Sequence, residues 1–254
     1  MNNTKRIVSA LTLSFAAIAA QAAPQATPAP VKNVVLVHGF FADGSGWKGV
    51  ADILARDGYK VSVVQQPETS LEDDVKATTR ILDAQEGRSI LVGHSYGGMV
   101  ITAAGNHAGV AGLVYVAAFQ PDAGESLKVL ADKMPPATKG IQATPDGHLV
   151  FDQALFHADF AADLPAAEAR FMALSQVTPA VAAATAPVTE AAWKHKPSWA
   201  IVSKADRTVN PDLERFMARR AGSTTVEIAG SHVAFIAHPD QVARVIEQAA
   251  AAVK

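Results

Sequence analysis

Ser89-Ile90-Leu91-Val92-Gly93-His94-Ser95-Tyr96-Gly97-Gly98 is the stretch that decides the fold. A short apolar run suited to a buried strand leads into Gly-x-Ser-x-Gly, and a helical pattern follows from Met99 to His107. In this strand–turn–helix order a sharp turn holds the serine in a strained backbone conformation and lifts its Oγ from the top of a sheet. The positions two before and two after the serine must lack bulk, because strand and helix nearly touch there. Gly93 and Gly97 meet that demand, and Gly98 gives further room. The pentapeptide alone is a weak pattern. Its context makes Ser95 the candidate nucleophile.

Working outward, short β-branched apolar runs recur at Asn33–Val37, Val61–Val64, Gly112–Ala118, Ser198–Ser203 and Thr224–Ile228. Helical patterns separate them at Trp47–Arg56, Ser70–Gln85, Tyr96–His107, Pro211–Arg220 and Pro239–Val253. Continuous apolar strands alternating with amphipathic helices imply an α/β fold, a mostly parallel sheet with helices on both faces. Ser70 precedes acids at Glu72, Asp73 and Asp74, where they complement a helix dipole. Pro211 and Pro239 sit at first-turn positions, and Gly58, Gly87 and Gly222 sit just past helix ends.

From Gln120 to Pro197 the alternation stops. Pro135-Pro136, a turn signal at Pro145-Asp146-Gly147 and an alanine-rich helical pattern at Ala166–Ser175 take its place. The turn signal suggests a small hairpin. The block reads as an insertion after the fourth strand, folded over the carboxyl edge of the sheet, where open α/β sheets bind ligands. The core is then residues 31–119 and 198–254, and the insertion 120–197.

The first residues read as a secretory signal: Lys5 and Arg6, an apolar run from Ile7 to Ala20, and the small-residue site Ala20-Gln21-Ala22. The run is too short to span a bilayer. Cleavage after Ala22, or near Ala23, leaves a Pro/Ala-rich leader over 23–30 and no membrane anchor. The expected location is periplasmic or secreted. Cleavage removes two positive charges, Lys5 and Arg6, and no acid, so the formal charge of −2 becomes −4. That mildly acidic balance argues against nucleic acid or anionic membrane as the main partner. Cysteine is absent, which excludes disulfides, a thiol nucleophile and cysteine metal sites.

A serine hydroxyl needs a base within hydrogen-bond reach. His232, in Ile228-Ala229-Gly230-Ser231-His232, lies beyond the carboxyl end of the last strand, on the edge Ser95 occupies. The rival His238 precedes Pro239-Asp240 and suits a helix cap, whereas His38 and His94 read as buried histidines bonded to backbone. His107, His148, His157 and His195 read as mostly solvated. The base needs a carboxylate to hold its tautomer, and Asp206 lies just past the Ser198–Ser203 strand. The chain order Ser95, Asp206, His232 is the one this fold class uses. Asp212 and Asp122 are the competitors, the first placed to suit a helix dipole. The oxyanion needs donors: the Tyr96 backbone N–H, and the Phe40 backbone N–H in the loop after the first strand, where Gly39 permits close approach. Because both donors are main-chain groups, changing either side chain does not remove them.

Val35-Leu36-Val37-His38-Gly39, the Ser95 stretch, Ala205-Asp206-Arg207-Thr208-Val209-Asn210-Pro211 and Gly230-Ser231-His232 together resemble the α/β-hydrolase family. More narrowly they resemble its compact branch of plant methylesterases, hydroxynitrile lyases and bacterial esterase relatives. The resemblance covers about residues 31–254. It implies an α/β-hydrolase fold with a cap over the site, and Ser–His–Asp acyl transfer without a cofactor. Lyases of this branch usually carry lysine after the catalytic histidine and tend to have threonine after the histidine of the first loop. Here those positions are Val233 and Gly39, which favours the esterase side.

The expected activity is therefore hydrolysis of small carboxylic esters, with short to medium acyl or small aromatic groups. Lactonase, amidase, perhydrolase and lyase chemistry, or a receptor role, are the alternatives on the same site. Phe40, Phe41, Phe119 and Val233 are the candidate substrate-contacting residues, with Leu155, Phe156, Phe160 and Trp193 from the insertion. His157, Asp159 and Asp163 read as a solvated helix face, not as metal ligands.

Overall fold

The computed structural model describes Met1 and residues 30–253, so all of the expected signal segment but Met1, and all of the leader but Pro30, lie outside the described residues. The strands are β1 (Asn33–Val37), β2 (Lys60–Val64), β3 (Ser89–His94), β4 (Val110–Val116), β5 (Ile141–Ala143), β6 (Leu149–Phe151), β7 (Ser198–Ser203) and β8 (Thr224–Ile228). The helices are α1 (Lys48–Arg56), α2 (Leu71–Asp83), α3 (Gly97–Ala104), α4 (Leu127–Lys133), α5 (Gln153–Asp159), α6 (Ala166–Leu174), α7 (Val181–Thr185), α8 (Pro211–Ala221), α9 (Ala234–Ala237) and α10 (Pro239–Ala252). Six strands pair in the order β2-β1-β3-β4-β7-β8, all parallel.

The central strands β1, β3, β4 and β7 are buried at every position, which is why they read as unbroken apolar runs. Gly112 faces Val253 beyond α10, while its neighbour Leu113 faces Gly105 at the end of α3. Successive residues of a strand point to opposite faces, so α10 and α3 cover opposite sides of the sheet. Ser70 caps α2 by accepting from the Asp73 N–H, and Gly222 ends α8 at φ +68°.

Several boundaries differ from the sequence reading, most clearly those of three elements. β3 runs two residues further, through Gly93 and His94, because His94 still pairs with Val116 of β4. β4 begins and ends two residues early, its end set where Ala117 turns to φ +44°. α3 starts after Tyr96 and stops at Ala104.

Between β4 and β7, α4–α7 surround the antiparallel hairpin of β5 and β6, whose turn places Gly147 at φ +84°. No strand of this segment joins the parallel sheet. Phe151, Phe156 and Phe160 from it pack edge-on or tilted against one another, and Phe41 from the core joins them.

Candidate active site

β3 delivers Ser95 at its carboxyl end with φ +53°, a conformation that non-glycine residues occupy only when their surroundings enforce it. The surroundings are backbone. A Cβ on Gly93 would come 2.5 Å from the Gly97 carbonyl oxygen, one on Gly97 2.6 Å from that of His38, and one on Gly98 1.9 Å from that of Phe119. The Phe119 N–H donates to the Ser95 carbonyl at 3.1 Å, and the Ser95 N–H to that of Val116 at 3.2 Å. Phe119 therefore braces the turn through its main chain.

His232 reaches the serine from the loop after β8. Its Nε2 lies 2.9 Å from Ser95 Oγ, and its Nδ1 lies 2.6 Å from Asp206 Oδ2. A carboxylate only accepts, so Nδ1 carries the proton and Nε2 is free to accept from the hydroxyl. The second Asp206 oxygen accepts from the Thr208 and Val209 N–H groups at 2.7 and 2.8 Å. All three side chains are sequestered: Ser95 is 5% exposed, Asp206 4% and His232 0%. The rivals are elsewhere. Asp212 pairs with Arg215, Asp122 with Lys194, and His238 occupies the α10 N-cap position without a capping side-chain bond.

His94 donates from Nε2 to the His232 carbonyl at 2.9 Å and is fully buried. Burial, then the neighbouring His232, holds its pKa well below the usual histidine range, so it stays neutral. It fixes the main chain of His232, as a buried histidine bonded to backbone.

The loop after β1 presses on the serine, since a Cβ on Gly39 would lie 2.6 Å from Ser95 Cβ. The Phe40 ring stacks on that of Tyr96 with centroids 3.9 Å apart and planes 18° from parallel. The two residues expected to supply oxyanion donors thus lie side by side. Among the described residues, neither N–H donates to a backbone acceptor outside the helices and strands. Phe41 is buried at φ +63°, and Val233 is fully buried at the start of α9. Phe160 meets the His232 ring edge-on with centroids 4.9 Å apart, whereas Trp193 donates to the Pro121 carbonyl at 2.7 Å.

Two acids read as solvated are not spare surface charges. Asp159 is buried, accepting from Arg207 Nε at 2.6 Å and from Thr138 Oγ1 at 2.7 Å, while its carbonyl accepts from Thr208 Oγ1. Asp163, although exposed, accepts from the Ser231 N–H at 2.8 Å and from the Ser231 hydroxyl. The segment before β7 is thereby tied to the loops that carry Asp206 and His232. Among the described residues, no group of three or more His, Cys, Asp or Glu is placed to hold a metal ion.

Sequence reasoning also missed a set of buried acids. Asp74 lies in the first turn of α2 as expected, but its carboxylate is buried, accepting from the Tyr96 hydroxyl at 2.6 Å and from the Glu68 N–H at 2.8 Å. Glu68 is buried at φ +57°, with Oε1 3.4 Å from His38 Nδ1, and burial pushes its carboxyl up to about 7. Glu214 on α8 is buried near Asp206, and desolvation and then the Asp206 charge hold its pKa well above the carboxylate range. A helical signal for Asp74 was present, because Leu71, Asp74, Thr78 and Leu82 form one buried stripe of α2.

The family model described as "Alpha/beta hydrolase family" matches residues 34–245. The chain belongs to the alpha/beta hydrolase family. Among relatives of this chain, a carbendazim-hydrolysing esterase of Nocardioides sp. (strain SG-4G) is 37% identical over 119 residues, 41% of this chain and 49% of that protein. The alignment thus spans about half the length of that relative. A pyrethroid hydrolase from Sphingobium faniae JZ-2 superposes with a TM-score of 0.74 at 24% identity, covering 87% of this chain and 98% of that one. Polyneuridine aldehyde esterase superposes with a TM-score of 0.73 at 15% identity, covering 86% and 98%. At these identities the superpositions speak for the alpha/beta hydrolase fold.

Proposed function

We propose that this alpha/beta hydrolase is an exported serine esterase that cleaves small carboxylic esters through an acyl-enzyme. The observation that carries the reading is the unbroken chain from Ser95 Oγ to His232 Nε2 at 2.9 Å and from His232 Nδ1 to Asp206 at 2.6 Å. In the reaction, Ser95 Oγ attacks the ester carbonyl while His232 Nε2 takes its proton and Asp206 stabilises the imidazolium. The Phe40 and Tyr96 N–H groups receive the oxyanion. His232 then protonates the departing alcohol, and water, activated by the same base, releases the acid and restores Ser95.

The name of the carbendazim-hydrolysing relative supports ester-type chemistry on this family's scaffold. The side chains around His232, chiefly Phe160 with Phe41 behind it, suit an apolar or aromatic acyl group. A separate groove of about 380 Å³ runs between α6 and the core, lined by Phe41, Asp43, Lys48, Phe171, Met172 and Phe235, and none of Ser95, Asp206 and His232 lines it. Val233 places a buried apolar group after the base, with no charge to hold a cyanide leaving group, which favours hydrolysis over lyase chemistry. Export rests on residues 1–22.

Hydrolysis of p-nitrophenyl esters from acetate to decanoate by the protein lacking residues 1–22, beside Ser95→Ala, tests the reading. Turnover of the shorter esters, lost in the variant, is expected. Equal rates in both folded proteins would overturn it.

A further inference from the structure

Tyr96 supplies the residue after the nucleophile, and its side chain does something the oxyanion hole does not itself require. The ring is fully buried, and its hydroxyl donates to Asp74 Oδ2 at 2.6 Å. Burial, then the Asp74 charge, raises the phenol pKa above its ordinary value, so the hydroxyl remains a donor. The other Asp74 oxygen accepts from the Glu68 N–H at 2.8 Å, fixing a turn held at φ +57°. That turn lies against His38, the residue that opens the loop bearing Phe40, and the Gln66 amide there donates to the His38 carbonyl at 3.0 Å. The ring of Tyr96 in turn carries the ring of Phe40 at 3.9 Å. One buried carboxylate on α2 therefore anchors both loops that present main-chain N–H groups to Ser95: one directly through the phenol, the other through the ring stack and the Glu68 turn.

We infer that Asp74 and the Tyr96 hydroxyl form a positioning pair that aims the Tyr96 and Phe40 N–H groups at the oxyanion. The inference rests on the reading of Ser95 as nucleophile and adds a function for side chains that the main-chain hole leaves unused. A satisfied structural hydrogen bond, the plain alternative, would cost stability when removed and leave the reaction rate alone. A positioning bond moves the rate, because a donor displaced by a fraction of an ångström loses the transition-state contact before it loses substrate binding.

Tyr96→Phe keeps the ring, the stack and the N–H and removes only the hydroxyl. Asp74→Asn keeps the volume and one carbonyl oxygen. Three readouts are taken on each folded variant: kcat and KM for a p-nitrophenyl ester, the pH–rate profile, and the rate at which ethyl p-nitrophenyl methylphosphonate phosphonylates Ser95 with loss of p-nitrophenolate. The last uses the same two donors and needs no natural substrate. For Tyr96→Phe we expect kcat to fall about tenfold, with KM within about twofold and phosphonylation slowed in parallel. The midpoint of the pH–rate profile should stay put, because the His232–Asp206 pair is untouched.

Tyr96→Phe that folds and keeps both kcat and the phosphonylation rate within about twofold of the parent would overturn the pair. If the parent hydrolyses no ester yet is phosphonylated, the esterase reading fails and the phosphonylation rates still judge the pair. If the parent is not phosphonylated at Ser95, the nucleophile assignment and the positioning inference fall together. If Asp74→Asn does not fold, Tyr96→Phe decides alone.

Discussion

Asp206 receives three hydrogen bonds, and only one comes from the histidine. Asp206→Asn can keep its oxygen toward the Thr208 and Val209 N–H groups and turn its amide toward His232. Nδ1 must then accept, the ring proton moves to Nε2, and the base can no longer take the Ser95 proton. The expected outcome is a kcat lower by about 10⁴-fold with an almost unchanged melting curve. A loss below about tenfold would mean that Asp206 is not the orienting acid. The sequence places Ser95, Asp206 and His232 each just past a strand end, and the fold brings them within hydrogen-bond distance. Their neighbours were harder to read. Asp74 looks like one of three dipole acids, and only the burial of its stripe of α2 separates it from Glu72 and Asp73. Asp159 looks solvated because its partner Arg207 lies 48 residues away in sequence, beyond any local pattern.

At the scale of elements, the parallel core is legible because strands buried on both faces must be apolar throughout, and the helices between them announce their ends with Ser70, Pro211, Pro239 and Gly222. The segment before β7 is less so: its short helices have weak periodicity, and its place is set by polar ties to distant loops. Two of those ties make separate predictions. Asp163→Ala removes both bonds to Ser231, the residue before His232, from an exposed site. We expect a small loss of stability, about 1 kcal/mol, against a fall in kcat of about fivefold that KM does not share. Asp159→Ala strips partners from Arg207 and Thr138 in a buried setting. It should cost about 1–3 kcal/mol, read as a lower urea midpoint at unchanged slope. Equal stability losses with no change in kcat for Asp163→Ala would reduce that tie to fastening alone. The turn at Gly98 is less forgiving, since its added Cβ would lie 1.9 Å from a backbone oxygen. Gly98→Ala should therefore give little folded protein, seen as loss of soluble expression beside the parent.

For the molecule as a whole, the buried carboxyls set how stability responds to pH. Burial raises Glu68 from its ordinary 4.5 to about 7, with the nearby His38 opposing the rise and Asp74 adding to it. A raised carboxyl pKa means that the folded state holds the proton more tightly than the unfolded chain. Its stabilising contribution is thus fully present below pH 4.5, declines as pH climbs, and is gone above about 7. At 1.36 kcal/mol for each pH unit, the whole excursion is worth about 3 kcal/mol. Glu214 acts in the same direction, since its pKa is also raised. Glu68→Gln isolates the first group, because the amide stays neutral at every pH and leaves Glu214 in place. Urea unfolding of parent and variant at pH 5, 6, 7 and 8 should show Glu68→Gln gaining on the parent steadily up to pH 7 and holding a constant lead above it. Parallel curves across that range would show that Glu68 is ionised in the folded state throughout. The effect is global although the group is single. Glu68 sits where the turn after β2 accepts the Ala180 N–H from the segment between β4 and β7, so its desolvation is relieved when that segment comes away from the sheet.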